Sequence, residues 1–224
     1  MSSETDKETG SGAERTRAAL IETGLRLFGQ HGFDATSTRM IAAEAKANIG
    51  SIAYHFGGKE GLRDACAQRI VEMVQSVATP LLAAASAAAK DEDAAAALLH
   101  RVLERMIRFI TADPQAGLAV QFILREMTLP TRALDIVYAG VFEPVHRTLC
   151  EVWAGATGAE AESEATRIDV FTMIGQVVYF RIGREAVLRR MGWQAIGPDE
   201  ASAIVASAWR NLDAAIAARR KDRP

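Results

Sequence analysis

The 224-residue chain has little of several things that would announce a particular chemistry. Its two cysteines, Cys66 and Cys150, lie far apart and in neither a metal nor a redox spacing, which leaves them as small buried hydrophobes of a reducing compartment. No Cys/His cluster has metal-ligand spacing, no glycine-rich loop is set to cradle phosphate, and no G-x-S-x-G elbow is present. His100 and His146 have no evident carboxylate or nucleophile partner in the sequence, so no metal or cofactor is expected. There is no excess of positive charge either: 26 Lys and Arg stand against 28 Asp and Glu, a net charge of −2. Charge alone therefore points to no nucleic-acid partner, although a protein that reads base edges needs only a local positive face. No apolar run approaches the about 18 residues of a membrane span, and the opening MSSETDKETGSG has no apolar signal core. The chain reads as cytoplasmic, with residues 1–12 a disordered tail and no membrane partner.

What is present is a 3.6-residue period in nearly every segment, with no run of period-two alternation. The fold class is all-α, of about nine helices. Ser11 and Glu14 form a capping box for a first helix whose apolar stripe is Leu20, Ile21, Leu25 and Phe28. Thr36 or Ser37 caps a short second helix and Asn48 a short third, from Ile49 to about Phe56, which Gly57 and Gly58 stop. A long fourth helix follows from Lys59. The next is capped near Asp91 or Asp93. Asp113-Pro114 opens a sixth, which Pro130 closes. Thr131 caps a seventh, in which Pro144 should kink the backbone or cost a hydrogen bond. An eighth runs from about Glu164 to Arg190, and Gly197-Pro198 opens the last. This divides into a small domain over residues 13–58 and a larger one over 59–220.

Two short helices joined by a four-residue turn resemble a helix-turn-helix, in which the second helix enters the DNA major groove and the first crosses the backbone. The third helix suits that task. Gly50, Ser51 and Ala53 let the backbone approach, Ile49 can touch a thymine methyl, and Ser51 can bond a base edge or phosphate. Tyr54 and His55 can donate to phosphate. Thr38, Arg39 and Lys59 are spaced to hold the DNA backbone. A packed corner is the competing reading of the Tyr-His-Phe cluster.

The run TRAALIETGLRLFGQHGFDATSTRMIAAEAKANIGSIAYHFGGKEGL resembles the N-terminal domain of the TetR family of bacterial transcriptional regulators. The resemblance rests on Leu27-Phe28, Gly32-Phe33, Thr36-Ser37, Ile41-Ala42, Ala45, Asn48, Gly50, Tyr54, His55-Phe56 and Lys59-Glu60. It departs from that pattern at Lys46, where the family usually has glycine, and at Ala47, where it usually has valine. A lysine in a left-handed turn costs up to about 1–2 kcal/mol, while adding a positive charge at the turn's phosphate-facing edge. The stretches FILREM and YFRIGR further resemble a subfamily that includes a regulator linked to antibiotic sensitivity.

The resemblance implies that the larger domain binds a small-molecule effector and dimerises. On the residues alone, candidates for an effector pocket are Met106, Phe109, Phe122, Tyr138, Phe142, Phe171, Gln176 and Phe180, with Arg125, Glu126, His146 and Arg181 as polar partners; most are equally well read as plain core. The last helix carries a clean stripe including Ile204, Val205, Ala208, Trp209, Leu212 and Ile216. With Ile174 and Val178 of the preceding helix it is expected to form a dimer interface, against the reading in which it completes the protomer's own core. The expected function is a homodimeric repressor released from a palindromic operator by a small molecule, and not an enzyme. The alternative is a helical binding protein or enzyme that retains a vestigial helix-turn-helix.

Overall fold

The computed structural model describes the backbone of residues 2–221 and the side chains of residues 12–221. Among those residues it contains twelve α-helices, one π-helical turn and no strand. The chain divides into two compact units, Met1–Met73 with Leu118–Gly140, and Val74–Gly117 with Val141–Pro224.

The first unit holds α1 (Ser2–His31), α2 (Thr38–Glu44), α3 (Gly50–Phe56), the first part of α4 (Lys59–Leu82), most of α7 (Pro114–Thr128) and α8 (Arg132–Val137). Leu20, Leu25 and Phe28 of α1, Ile41 of α2, Ile52 of α3, Leu62 and Ile70 of α4, and Phe122 of α7 are all buried. Helix α1 reaches back to Ser2, so the polar segment expected as a tail is helical and Ser11 is interior to the helix rather than its cap. No proline interrupts that stretch, and extending an existing helix adds one hydrogen bond per residue ordered.

The second unit holds the rest of α4, α5 (Ala85–Ala88), α6 (Glu92–Ala112), α9 (Glu143–Thr157), α10 (Glu164–Ile182), α11 (Arg184–Met191) and α12 (Pro198–Lys221). Helix α6 packs against α5, α9, α10 and α12. The buried Leu99, Leu103 and Ile107 of α6 share one apolar cluster with Trp153, Met173, Val205 and Leu212.

The caps fall where side-chain chemistry dictates. Asp91 accepts from the Ala94 amide at 2.8 Å, Asp113 from Gln115 at 2.8 Å and Thr131 from Ala133 at 3.2 Å, each satisfying an otherwise orphaned N–H. The expected seventh helix is interrupted. A π-helical turn, Tyr138–Phe142, precedes Glu143-Pro144, because a ring that removes one amide donor and crowds the carbonyl four residues back is accommodated by a wider turn. The expected eighth helix is divided at Gly183, whose N–H closes on Tyr179 O at 2.7 Å. There the Tyr179 ring lies 2.9 Å from where a Cβ would be. These two breaks and the separate α5 account for the excess over nine helices.

One expectation about apolar runs is overturned. By length and composition Lys59–Ala88 is apolar enough to cross a membrane, with a window of mean hydropathy 1.4, of which 17% is buried. Alanine supplies much of that hydropathy, from Ala78 through Ala88.

Candidate nucleic-acid interface

Local chemistry builds the α2–turn–α3 segment. Ser37 caps α2 by accepting from the Met40 amide at 3.2 Å. Thr36, the other candidate cap, is wholly buried and its hydroxyl bonds the carbonyls of Leu27 and Gly32 instead, fixing the exit of α1. The turn is made by Lys46 at φ 52°, the one non-glycine residue with positive φ among the described residues. The amides of Lys46 and Ala47 return to Ala43 O and Ala42 O. Asn48 accepts the Gly50 amide at 2.8 Å, which starts α3 although Ile49 occupies the cap position itself. Gly57, at φ 73°, ends it by donating to Ala53 O, a left-handed cap that glycine adopts without steric cost.

Helix α3 is held by one side and bare on the other. Ile52 is 1% exposed, whereas Tyr54 is 83% and Ile49 47% exposed. Arg39, Lys46, Asn48, Gly50 and Ala53 are also exposed, and Thr38, Ser51, His55 and Lys59 are half-buried. The structure thus brings all eleven sequence-selected residues into one short segment of the first unit. Tyr54 meets the His55 ring edge-on at 4.9 Å. An ion pair between Arg26 and Glu44 ties α1 to α2.

A feature absent from the sequence reading lies beside α3. The Phe33 ring carries Lys59 Nζ at 4.1 Å and Arg63 Cζ at 4.0 Å from its centroid. Cations over an aromatic face are attracted by its quadrupole, so the ring holds two positive charges at the start of α4. The i, i+4 spacing of Lys59 and Arg63 was visible, but the turn that brings Phe33 against them was not.

The effector candidates fall in both units. Phe122 is fully buried in the first unit, and Arg125 donates to Gly29 O at 3.4 Å and Gln30 O at 3.1 Å. Both are structural there, and Tyr138 of the same unit is exposed. In the second unit, Met106, Phe109 and Phe180 pack on the apolar cluster, and Phe142 is half-buried. Gln176 accepts from Asn211 at 3.1 Å, while His146 stacks on the exposed Phe171 at 3.9 Å. Of these residues only Phe109 lines the open cleft of about 410 Å³ formed with Val77, Arg105, Arg108, Ala112, Asp113 and Pro114. Arg181 packs over Gly117. Its pKa is lowered by burial and by Arg184, against an opposing pull from Asp113.

The dimer expectation needs correction. Ile204, Val205, Ala208, Leu212 and Ile216 are all 5% exposed or less and belong to the protomer's own core, with Ile174, Val178 and Trp209 packed partly against it. A period of 3.6 shows that a face is buried, not what buries it. The bare apolar face lies on α10 instead, where Ile168, Phe171, Tyr179 and Ile182 are each more than half exposed.

Residues 20–66 match the N-terminal domain described as "Bacterial regulatory proteins, tetR family", and residues 95–219 match the C-terminal domain of the HTH-type transcriptional dual regulator CecR. CecR of Shigella flexneri is 34% identical over 195 residues, covering 85% of this chain and 86% of that protein. The chain belongs to the TetR family. It is a DNA-binding transcriptional regulator and not an enzyme. Two solved structures of TetR-like fold agree in architecture. One is a putative regulator of Pseudomonas aeruginosa PAO1, with a TM-score of 0.65 at 21% identity, covering 92% of this chain and 93% of that one. The other is AibR, solved with isovaleryl coenzyme A and operator DNA, with a TM-score of 0.64 at 17% identity, covering 87% and 96%.

Proposed function

We propose that this TetR-family chain acts as a cytoplasmic homodimeric repressor of a palindromic operator, released by a small molecule. The observation that carries the reading is the two-sided build of α3, with Ile52 in the core and Tyr54, Ile49, Gly50 and Ala53 bare on the outside. In this reading α3 enters the major groove. Ile49, Gly50, Ser51 and Ala53 face base edges, and Thr38, Arg39, Lys46, Asn48, Tyr54, His55 and Lys59 hold register on phosphates.

The partner surface is the exposed ridge of α10, Ile168, Phe171, Tyr179 and Ile182, rather than the buried stripe of α12. A contiguous apolar ridge of this kind favours a covering partner, and a second copy gives the two-fold symmetry that a palindrome requires. The effector enters the cleft beside Phe109, where Val77 and Pro114 adjoin Arg105 and Arg108. That lining suits a ligand with an apolar body and an anionic group, as does the coenzyme A thioester found with AibR. Arg108 also pairs with Glu104 at 2.9 Å, so a ligand anion would compete for it. Effector binding releases DNA in proportion to its differential affinity for the two states. The CecR relative is called a dual regulator, which leaves room for activation at some promoters.

Footprinting the DNA upstream of the chain's own gene tests this reading. Two protected half-sites about 34–36 Å apart, one helical turn centre to centre, are expected. A single unpaired protected patch bound by one protomer would contradict the dimer.

A further inference from the structure

In the first unit, Arg26 pairs with Glu44, and Arg132 pairs with Asp64 at 3.4 Å. Arg63, next to Asp64 in sequence, has no ion pair among the described residues, and its Nε is shut off from solvent with no hydrogen-bond partner among them. A buried donor left in that state costs free energy, so some other contact must hold the guanidinium. That contact is the Phe33 ring, whose centroid lies 4.0 Å from Arg63 Cζ and 4.1 Å from Lys59 Nζ. Arg63 and Lys59 stand four residues apart on α4, on one side of the helix.

A carboxylate in place of that ring would neutralise the two cations. An aromatic face attracts them through its quadrupole and leaves both charges intact. Like charges drawn to one ring repel each other, and an anion beside them relieves the repulsion. The long side chains are also ordered before any partner arrives, which lowers the cost of the next contact they make.

Their surroundings in the first unit select the anion. Phe33 lies four residues before Ser37, the cap of α2. Lys59 opens α4 directly after Gly57 and Gly58, where α3 ends. Gly61 seats that junction: a Cβ there would run into Phe56 O, so the first turn of α4 rests against the last residue of α3. The two cations therefore belong to the same local structure as the start of α2 and the bare face of α3.

We propose, on the operator-binding reading above, that Arg63 is a second phosphate-binding residue beside Lys59 and that Phe33 is the positioning residue that seats both. The partner is the phosphodiester backbone of duplex DNA, held without regard to base sequence.

Fluorescence anisotropy of the full-length protein, on its own upstream DNA and on a scrambled duplex over a range of salt, tests this. Arg63→Gln should bind both duplexes roughly fivefold more weakly at moderate salt, with the preference between them unchanged. Its plot of log affinity against log salt should be shallower than the wild type's by about one, for one lost phosphate contact. Arg63→Lys keeps the charge and should recover the wild-type slope. Phe33→Leu leaves both charges in place, so it should keep that slope while weakening binding to both duplexes roughly threefold. Phe33→Tyr keeps the ring and should bind as the wild type does. An Arg63 that only packs on Phe33 would shift the urea midpoint when substituted and leave the slope alone. A wild-type slope in folded Arg63→Gln, a shallow slope in Arg63→Lys, or wild-type affinity in Phe33→Leu would overturn the proposal. Equal binding of both duplexes by the wild type would instead remove the operator reading, while the slopes still decide the role of Arg63. Binding to neither duplex would remove both.

Discussion

Lys46 holds a backbone conformation that glycine takes freely, at φ 52°. Lys46→Gly should therefore raise stability by about 1 kcal/mol, read by urea denaturation. It should also flatten the salt dependence of DNA binding by about one phosphate contact. The thiols make a second prediction at this scale. Burial, followed by Glu126, raises the Cys66 pKa, and burial, followed by Glu162, pushes Cys150 from 9.0 up to about 11. Below pH 9 both states keep these protons. Above it the unfolded chain loses them first, so stability falls as pH rises from 9 to 11, by up to about 1.4 kcal/mol per pH unit for each thiol. Denaturation midpoints across that range should fall less steeply in Cys150→Ala. The strain at Lys46 was legible in the sequence because it depends only on its place in the turn. The Phe33 platform under Lys59 and Arg63 was not, because it depends on how α1 and α4 meet.

Helix α3 separates anchoring from reading, and two substitutions in the same two turns should part company. Ile52 is 1% exposed, so Ile52→Ala should cost about 2–5 kcal/mol in thermal or urea unfolding. Tyr54 is 83% exposed, so Tyr54→Ala should leave stability within about 0.5 kcal/mol while weakening operator binding. Caps were readable at Asp113 and Thr131, and to one of two near neighbours at Ser37 and Asp91, because a cap is a bond between near neighbours in sequence. Ser11, by contrast, falls inside α1, and Ile49 rather than Asn48 holds the cap position of α3. Pro144 announced a disturbance, and its form, a π-helical turn over Tyr138–Phe142, was set by the packing around it. Helix α12 shows the limit. Its stripe of Ile204, Val205, Ala208, Leu212 and Ile216 was read correctly as buried, but its partner is the protomer's own core. FILREM had the same fate: Phe122 and Arg125 looked like pocket chemistry, and they join α7 to α1.

At the scale of the molecule, the account requires two copies to present two α3 helices to one operator. Phe171→Asp with Tyr179→Asp, on the exposed face of α10, should convert the dimer to monomer in sedimentation velocity without loss of helicity, because each places a charge in an apolar contact. Operator affinity should fall with it. The central claim is that the bare face of α3 reads DNA sequence, and fluorescence anisotropy tests it most directly. The wild type and Tyr54→Ala would be titrated onto the gene's own upstream DNA and onto a scrambled duplex, at fixed moderate salt. The account predicts a preference for the upstream DNA on the order of 10³ in the wild type, with Tyr54→Ala weakening binding to both duplexes alike because its contact is to phosphate. Equal affinity for both duplexes, unchanged by the substitution, would contradict it.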